Sequence, residues 1–127
     1  MSFLKPLLKE PQSAFKLVNR RNGRILAARV LTAFDSQSRR RGLLGIDGFQ
    51  PGHALIIAPT NAIHTWFMRF PIDVAFVAKD GRIVKVRHQL QPWRMSAAIR
   101  GYAVIELPAG ALAAADTAAE DVLSLEL

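Results

Sequence analysis

The sequence predicts a β-rich α+β fold, a small curled or barrel-like and mainly antiparallel sheet carrying two short helices. Two observations lead there. Short apolar runs rich in β-branched residues recur at hairpin spacing, several of them separated by the tight-turn dipeptides Asn22-Gly23 and Asp80-Gly81. Only two segments carry helix-start chemistry, so the pattern is not one of alternating strands and helices. At 127 residues the chain suits one domain with one continuous core.

Residues 1–12, broken by Pro6 and Pro11, read as an arm or poorly ordered leader, with a single domain over 13–127. Phe15 to Val18 and Ile25 to Leu31 read as strands around Asn22-Gly23, because Asn-Gly supplies the positive φ angles of a two-residue turn. Asp35 can accept from the free amides of a first helical turn, which places a short helix over the arginine run, ended by Gly42 or Gly45. Ala54 to Ala58 is a buried strand stopped by Pro59. Ile63 to Arg69, Ile72 to Lys79 and Arg82 to His88 follow as strands. A two-residue turn at Asp80-Gly81 would pair Val77 with Val84, Ala75 with Val86 and Asp73 with His88. Residues 91–100 read as irregular and Tyr102 to Leu107 as a strand. A short helix opened by Pro108 comes next, and Val122 to Leu127 closes the sheet.

Composition removes whole classes of function. The chain has no cysteine, which excludes disulfides, thiolate metal sites and cysteine nucleophiles. Its N-terminus lacks the apolar run of a secretory signal and no stretch reaches the length of a membrane span, so the chain reads as cytoplasmic. There is no phosphate-binding glycine loop, dinucleotide fingerprint or zinc-binding spacing among His53, His64 and His88, and hence no implied cofactor or metal. The net charge of +7 is polarised: residues 1–50 carry ten Lys/Arg against three Asp/Glu, residues 51–100 seven against two, and residues 101–127 none against five. Such a basic surface suits solubility, nucleic acid or an acidic partner.

The segment from His64 to Asp73 is the most unusual in composition. On an extended chain His64, Trp66 and Met68 share a face, which suits either core packing or the wall of a ligand groove. Asp73 shares its strand face with Ala75 and Val77, so its carboxylate needs a buried partner. His88, Arg39 and Arg69 are the sequence-level candidates. The leading functional reading is a non-enzymatic module binding a small molecule or partner chain through Arg39, His64, Trp66, Met68, Asp73 and Trp93. One alternative is a hydrolase or isomerase using Asp73 and His88, although no nucleophile motif accompanies them. Another is a nucleic-acid or acidic-partner binder using Arg20, Arg21, Arg24, Arg40 and Arg41, with Trp66, Phe67 and Trp93 able to stack on bases.

A set of blocks, Arg39-x-x-Gly42-Leu43-Leu44-Gly45, His64-Thr-Trp-Phe-Met68-Arg69-Phe-Pro71-Ile-Asp73-Val-Ala-Phe76, Asp80-Gly81, Pro92-Trp93 and Glu106-Leu-Pro-Ala-Gly110, resembles the prokaryotic domain of unknown function 192. The resemblance runs from about Ala28 to Leu127 and implies a small β-rich domain with no established activity. It marks Arg39, Gly42, Leu43, Met68, Asp73, Phe76, Glu106 and Gly110 as fold determinants or as the lining of a site. Leu44 stands where the family often has methionine, Ile46 where an arginine often follows, and Glu120 near a frequent glycine. The missing arginine weakens any anion site at that point.

Overall fold

A computed structural model describes residues 2–11, 13–41 and 48–127, the side chains of Arg40 and Arg41 excepted. Gly42, Leu43, Leu44, Gly45 and Ile46 lie outside the described residues, as does the predicted glycine stop of the helix after Asp35.

The first hairpin joins β1 (Lys16–Asn19) to β2 (Ile25–Ala27), with Gly23 at φ 72° as the Asn-Gly signal requires. Its turn is longer than two residues, because Asn19 takes both the Arg24 carbonyl and the Gly23 amide. The predicted strand 25–31 breaks at Ala28, where the chain leaves one sheet and continues as β3 (Arg29–Ala33) in another. Asp35 then accepts from the Ser38 amide and hydroxyl at 2.8 Å each, which opens α2 (Ser36–Arg41). This connection returns the chain so that β4 (His53–Ile57) lies parallel to β3, the one parallel pair among the described strands.

β5 (Ala62–His64), β6 (Ile72–Val77), β7 (Ile83–Leu90), β8 (Met95–Ala97), β9 (Ala103–Pro108) and β10 (Leu123–Glu126) pair antiparallel. The described strands form three open sheets in the orders β10-β1-β2, β3-β4-β9-β6-β7 and β5-β8, with no closed barrel. Among the described residues three helices are present instead of two. The additional one, α1 (Lys5–Lys9), opens with Pro6 in its first turn and buries Leu4 and Leu7 in the main core, so the residues read as an arm fold back onto the domain. α3 (Ala111–Ala114) begins after Gly110 at φ 92°, while Pro108 ends β9; the turn to the helix is made by glycine and not by proline at its first position.

Every residue of β6 is buried, because the five-stranded sheet is covered on both faces. One face carries Ala54, Ile56, Ala75, Val77, Ile105 and Leu107 against the β10-β1-β2 sheet, α1 and α3. The other carries Leu55, Ile57, Ile72, Val74, Phe76 and Val104 beneath Phe49, Ile63, Met68 and Phe70. Each such large side chain removed from water contributes about 1.5–3 kcal/mol. No helix among the described residues is long and apolar enough to cross a membrane.

Candidate functional site

Asp73 is 0% exposed and stands on the face predicted from Ala75 and Val77, but its partners are not those expected. One carboxylate oxygen accepts the Gln89 amide at 2.9 Å and the other the Leu112 amide at 3.0 Å. His88 is exposed and makes no bond to it among the described residues, which corrects the proposed Asp73–His88 pair. The reason is in the register. Ala75 faces Val86 as derived, whereas Val77 faces Ile83 in place of Val84, and β7 bulges so that His88 and Gln89 both fall between the Val74–Arg87 and Ile72–Leu90 pairs. At the turn Ala78 accepts the Gly81 amide and donates to Arg82, making a three-residue loop with Gly81 at φ 96°; the irregularity between Phe76 and Val77 absorbs the added residue, so the bulge beside Asp73 is what displaces His88. A carboxylate that ties a strand bulge to the first amide turn of α3 is a structural clamp, and a base–orienter pair is not assembled.

Glu106, a position that the family resemblance marks, is the buried acid with chemical freedom. It lies on β9 between Leu55 and Val74 and is 5% exposed, facing the second core cluster. Its Oε2 has no hydrogen-bond partner among the described residues. Burial raises its pKa to about 7, since the charged form has lost water and gained nothing in return.

The residues from His64 to Met68 and from Gln91 to Met95 form an exposed ribbon. β5 and β8 pair Ala62, Ile63 and His64 with Ala97, Ser96 and Met95. Thr65, fully buried, fastens the two chains beyond that ladder: its hydroxyl donates to the Gln91 carbonyl at 2.6 Å and accepts the Arg94 amide at 2.9 Å. Its own amide donates to the Arg94 carbonyl at 2.8 Å, and its carbonyl accepts the Trp93 and Met68 amides at 3.0 and 3.2 Å. This knot turns the backbone so that Phe67 and Trp93 both sit at φ 66°, in the left-handed region that costs a non-glycine residue about 1–2 kcal/mol. The two rings meet at 4.7 Å between centroids and remain 68% and 57% exposed. Beside them His64 and Trp66 lie 4.8 Å apart, and Trp66 and Met95 are also exposed.

Of the six predicted ligand-binding residues, the structure brings His64, Trp66 and Trp93 onto this ribbon. The alternation of an extended chain holds for His64 and Trp66 and fails after the turn at Phe67, where Met68 drops into the core. Asp73 lies on the opposite face of the sheet, and Arg39 on α2 donates to the Phe34 carbonyl and to Ser36 Oγ, so one groove surrounding Asp73 is not formed by these residues. The sequence reading missed Thr65 and Met95 as parts of the site and named Phe67 only as a ring able to stack on bases. The tandem aromatics at 66–67 with Trp93 were the available signal; nothing local distinguishes a buried threonine that ties two loops. A concavity of about 800 Å³ between α1 and β10 has none of the six candidates in its lining.

The early arginines are engaged elsewhere. Arg21 Nε donates to Asp121 Oδ1 at 2.7 Å, Arg24 to the Ala114 carbonyl at 3.2 Å, and Asn19 to Asp121 and Thr117 at 3.0 Å each. The guanidinium of Arg21 holds Asp121 down at about 2, and the same bond raises Arg21. Arg21 and Arg24 therefore fasten the C-terminal segment, while the side chains of Arg40 and Arg41 lie outside the described residues.

Two solved structures share this fold. A protein described as a candidate transcription regulator from Sinorhizobium meliloti has a TM-score of 0.77 at 22% identity, over 87% of this chain and 91% of its own. A protein of unknown function from Novosphingobium aromaticivorans gives 0.73 at 17% identity, over 90% of this chain and 84% of its own. No curated protein matches the sequence. The family model of the domain of unknown function 192, described as Uncharacterized ACR, matches residues 17–125, and the chain belongs to that family.

Proposed function

We propose that this protein is a non-enzymatic binding module whose recognition surface is the β5–β8 ribbon, with His64, Trp66, Phe67, Trp93 and Met95 as its contact residues. One observation carries the reading: two aromatic residues are held in left-handed backbone and still present most of their surface to water. Strain and exposed apolar area both oppose folding, so a chain selected for stability alone would place asparagine or glycine there. Large rigid rings on a fastened scaffold bind with little loss of conformational entropy, which is what a recognition surface requires.

The ribbon also supplies its own probe. The chain has two tryptophans, Trp66 and Trp93, and both are on it. In a screen of small molecules, peptides and oligonucleotides, a ligand of this surface is expected to raise the melting temperature and shift tryptophan emission together. Both effects should vanish in Phe67→Ala/Trp93→Ala while the far-ultraviolet spectrum is kept. A ligand whose thermal shift survives that double variant places recognition elsewhere and defeats the proposal.

A further inference from the structure

Resting on that reading, we infer that the ligand class of the ribbon is single-stranded nucleic acid. The charge around it carries the step. From Thr60 to Ile72 and from Gly81 to Ile105 the sequence contains no acidic residue, and Asp73 and Asp80 are the only ones in residues 51–100. Asp73 is buried with both oxygens taken by amides, and Asp80 sits in the hairpin turn, bonded to the Arg82 amide. Three of the five acids of the C-terminal third are used by other arginines, Asp116 and Asp121 by Arg21 and Glu120 by Arg82 at 2.9 Å, while Glu106 is buried in the core beneath and Glu126 accepts from Ser124. Among the described residues the acids pair with cations at the Arg21–Asp121 end and beside the Asp80-Gly81 hairpin, and none is paired with Lys85, Arg87 or Arg94.

Three cations border it, each bonded to a neutral acceptor that leaves its charge intact. Arg87 donates to Ser96 Oγ at 3.2 Å, Lys85 to the Ala97 carbonyl at 2.8 Å, and Arg94 to the Trp93 carbonyl at 3.3 Å. Positive groups along a strand with rings beside them match a polyanion whose bases are free to stack, since a phosphate meets each cation and any base has a π-face to offer. A duplex hides those faces, so the inference is for the single strand. A sugar or neutral peptide would use the rings but would have no use for the uncompensated charge. An acidic peptide would use the charge and is the competing class.

The test is a titration of the full chain, followed by tryptophan emission and by anisotropy of a labelled oligonucleotide of about 12 nucleotides. Oligo(dT), oligo(rU), a duplex of the same length and polyglutamate are compared. Single strands should quench the tryptophans and bind roughly 20- to 50-fold more weakly when salt rises from about 50 to about 200 mM, as three or four phosphate contacts require. Trp93→Ala should weaken binding about tenfold or more, and Arg87→Gln/Arg94→Gln should lower the salt slope. Equal or tighter binding of the duplex, or no quenching by either single strand, overturns the inference. Polyglutamate quenching that needs the rings would overturn the nucleic-acid class and leave the ribbon as the recognition surface. Oligonucleotide binding unaffected by Phe67→Ala/Trp93→Ala would overturn both.

Discussion

The two faces of the five-stranded sheet bury one acid each, one residue apart in register on neighbouring strands, and treat them in opposite ways. Asp73 of β6 faces the core shared with α3 and has a backbone amide for each oxygen. Glu106 of β9, paired with the adjacent Val74, faces the other core with an oxygen that meets no donor among the described residues. The first face is finished in the sense that its polar groups, its helix start and its strand bulge satisfy each other. The second carries a lone acid within its core and, outside that core, aromatic rings held against their backbone preference. Left-handed backbone occurs on both sides, at Gln89, Asp116 and Glu120 as well as at Phe67 and Trp93; what marks the second side is that large exposed rings occupy such positions and that its buried acid has an oxygen without a donor among the described residues.

The largest expected effect tests the finished face. Asp73→Ala removes the acceptor for two amides, one fully buried, and charge-assisted bonds of this kind contribute about 1.5–3 kcal/mol each, so a loss of about 4 kcal/mol in denaturant unfolding is expected. Asp73→Asn keeps one acceptor oxygen and should lose about half as much. If both variants unfold within about 1 kcal/mol of the parent, the clamp is not what holds α3 and the β7 bulge, and the contrast between the faces disappears.

Glu106 gives the next effect, with a definite sign. Its folded pKa of about 7 lies above the ordinary 4.5, so between these values the folded state binds more protons than the unfolded one. The stabilising protonated form is fully available below pH 4.5, and stability falls as pH rises until it levels off above about 7. At about 1.4 kcal/mol per pKa unit the loss is on the order of 3 kcal/mol. Asp121, held down at about 2 by Arg21, acts in the opposite sense: its contribution is present above pH 3.8 and is lost as pH falls toward 2. Unfolding measured across this range should therefore fall away on both sides for the parent. Glu106→Gln should lose the alkaline slope and keep the acid one. A parent whose stability is flat from pH 4.5 to 7 would mean that Glu106 is charged and partnered, which would make the two faces alike.

What the sequence made legible divides along the same line. The fold class, the Asp35 cap, the Asp80-Gly81 turn and the apolar face of Asp73 follow from local chemistry, and each is present. The pairing of Asp73 with His88 failed because a bulge in β7 is invisible to a count that assumes a regular ladder. α1 was missed because prolines in a short segment argue for an arm, and only the tertiary burial of Leu4 and Leu7 makes its helix worth forming. The rings of the candidate site were legible as composition, His64, Trp66 and Trp93 as groove residues and Phe67 as a stacking ring. The rest was hidden because its geometry depends on Thr65 bonding to residues 26 and 29 positions away, a contact that no local pattern encodes.

The smallest effect bears most directly on the ribbon, and it is a comparison of two truncations at one position. Phe67→Ala and Phe67→Gly both delete the ring and its contact with Trp93, so the difference between them reports the backbone alone. At an ordinary strand position glycine is the less stable of the two by about 0.5–1 kcal/mol, because it loses more freedom on folding. At φ 66° the order should invert, since alanine keeps a Cβ pressed toward its carbonyl and glycine does not. Glycine is expected to exceed alanine by about 1 kcal/mol, or roughly 4 °C in melting temperature, at position 67 and again at position 93. Neither variant should retain the ring-dependent binding. Inversion at both positions would show that the fold holds these rings against its own stability, as a surface kept for recognition would. If alanine matches or exceeds glycine at both, the backbone relaxes as soon as the ring is gone; the ring then sets the conformation, and the strain at Phe67 and Trp93 is not built into the scaffold.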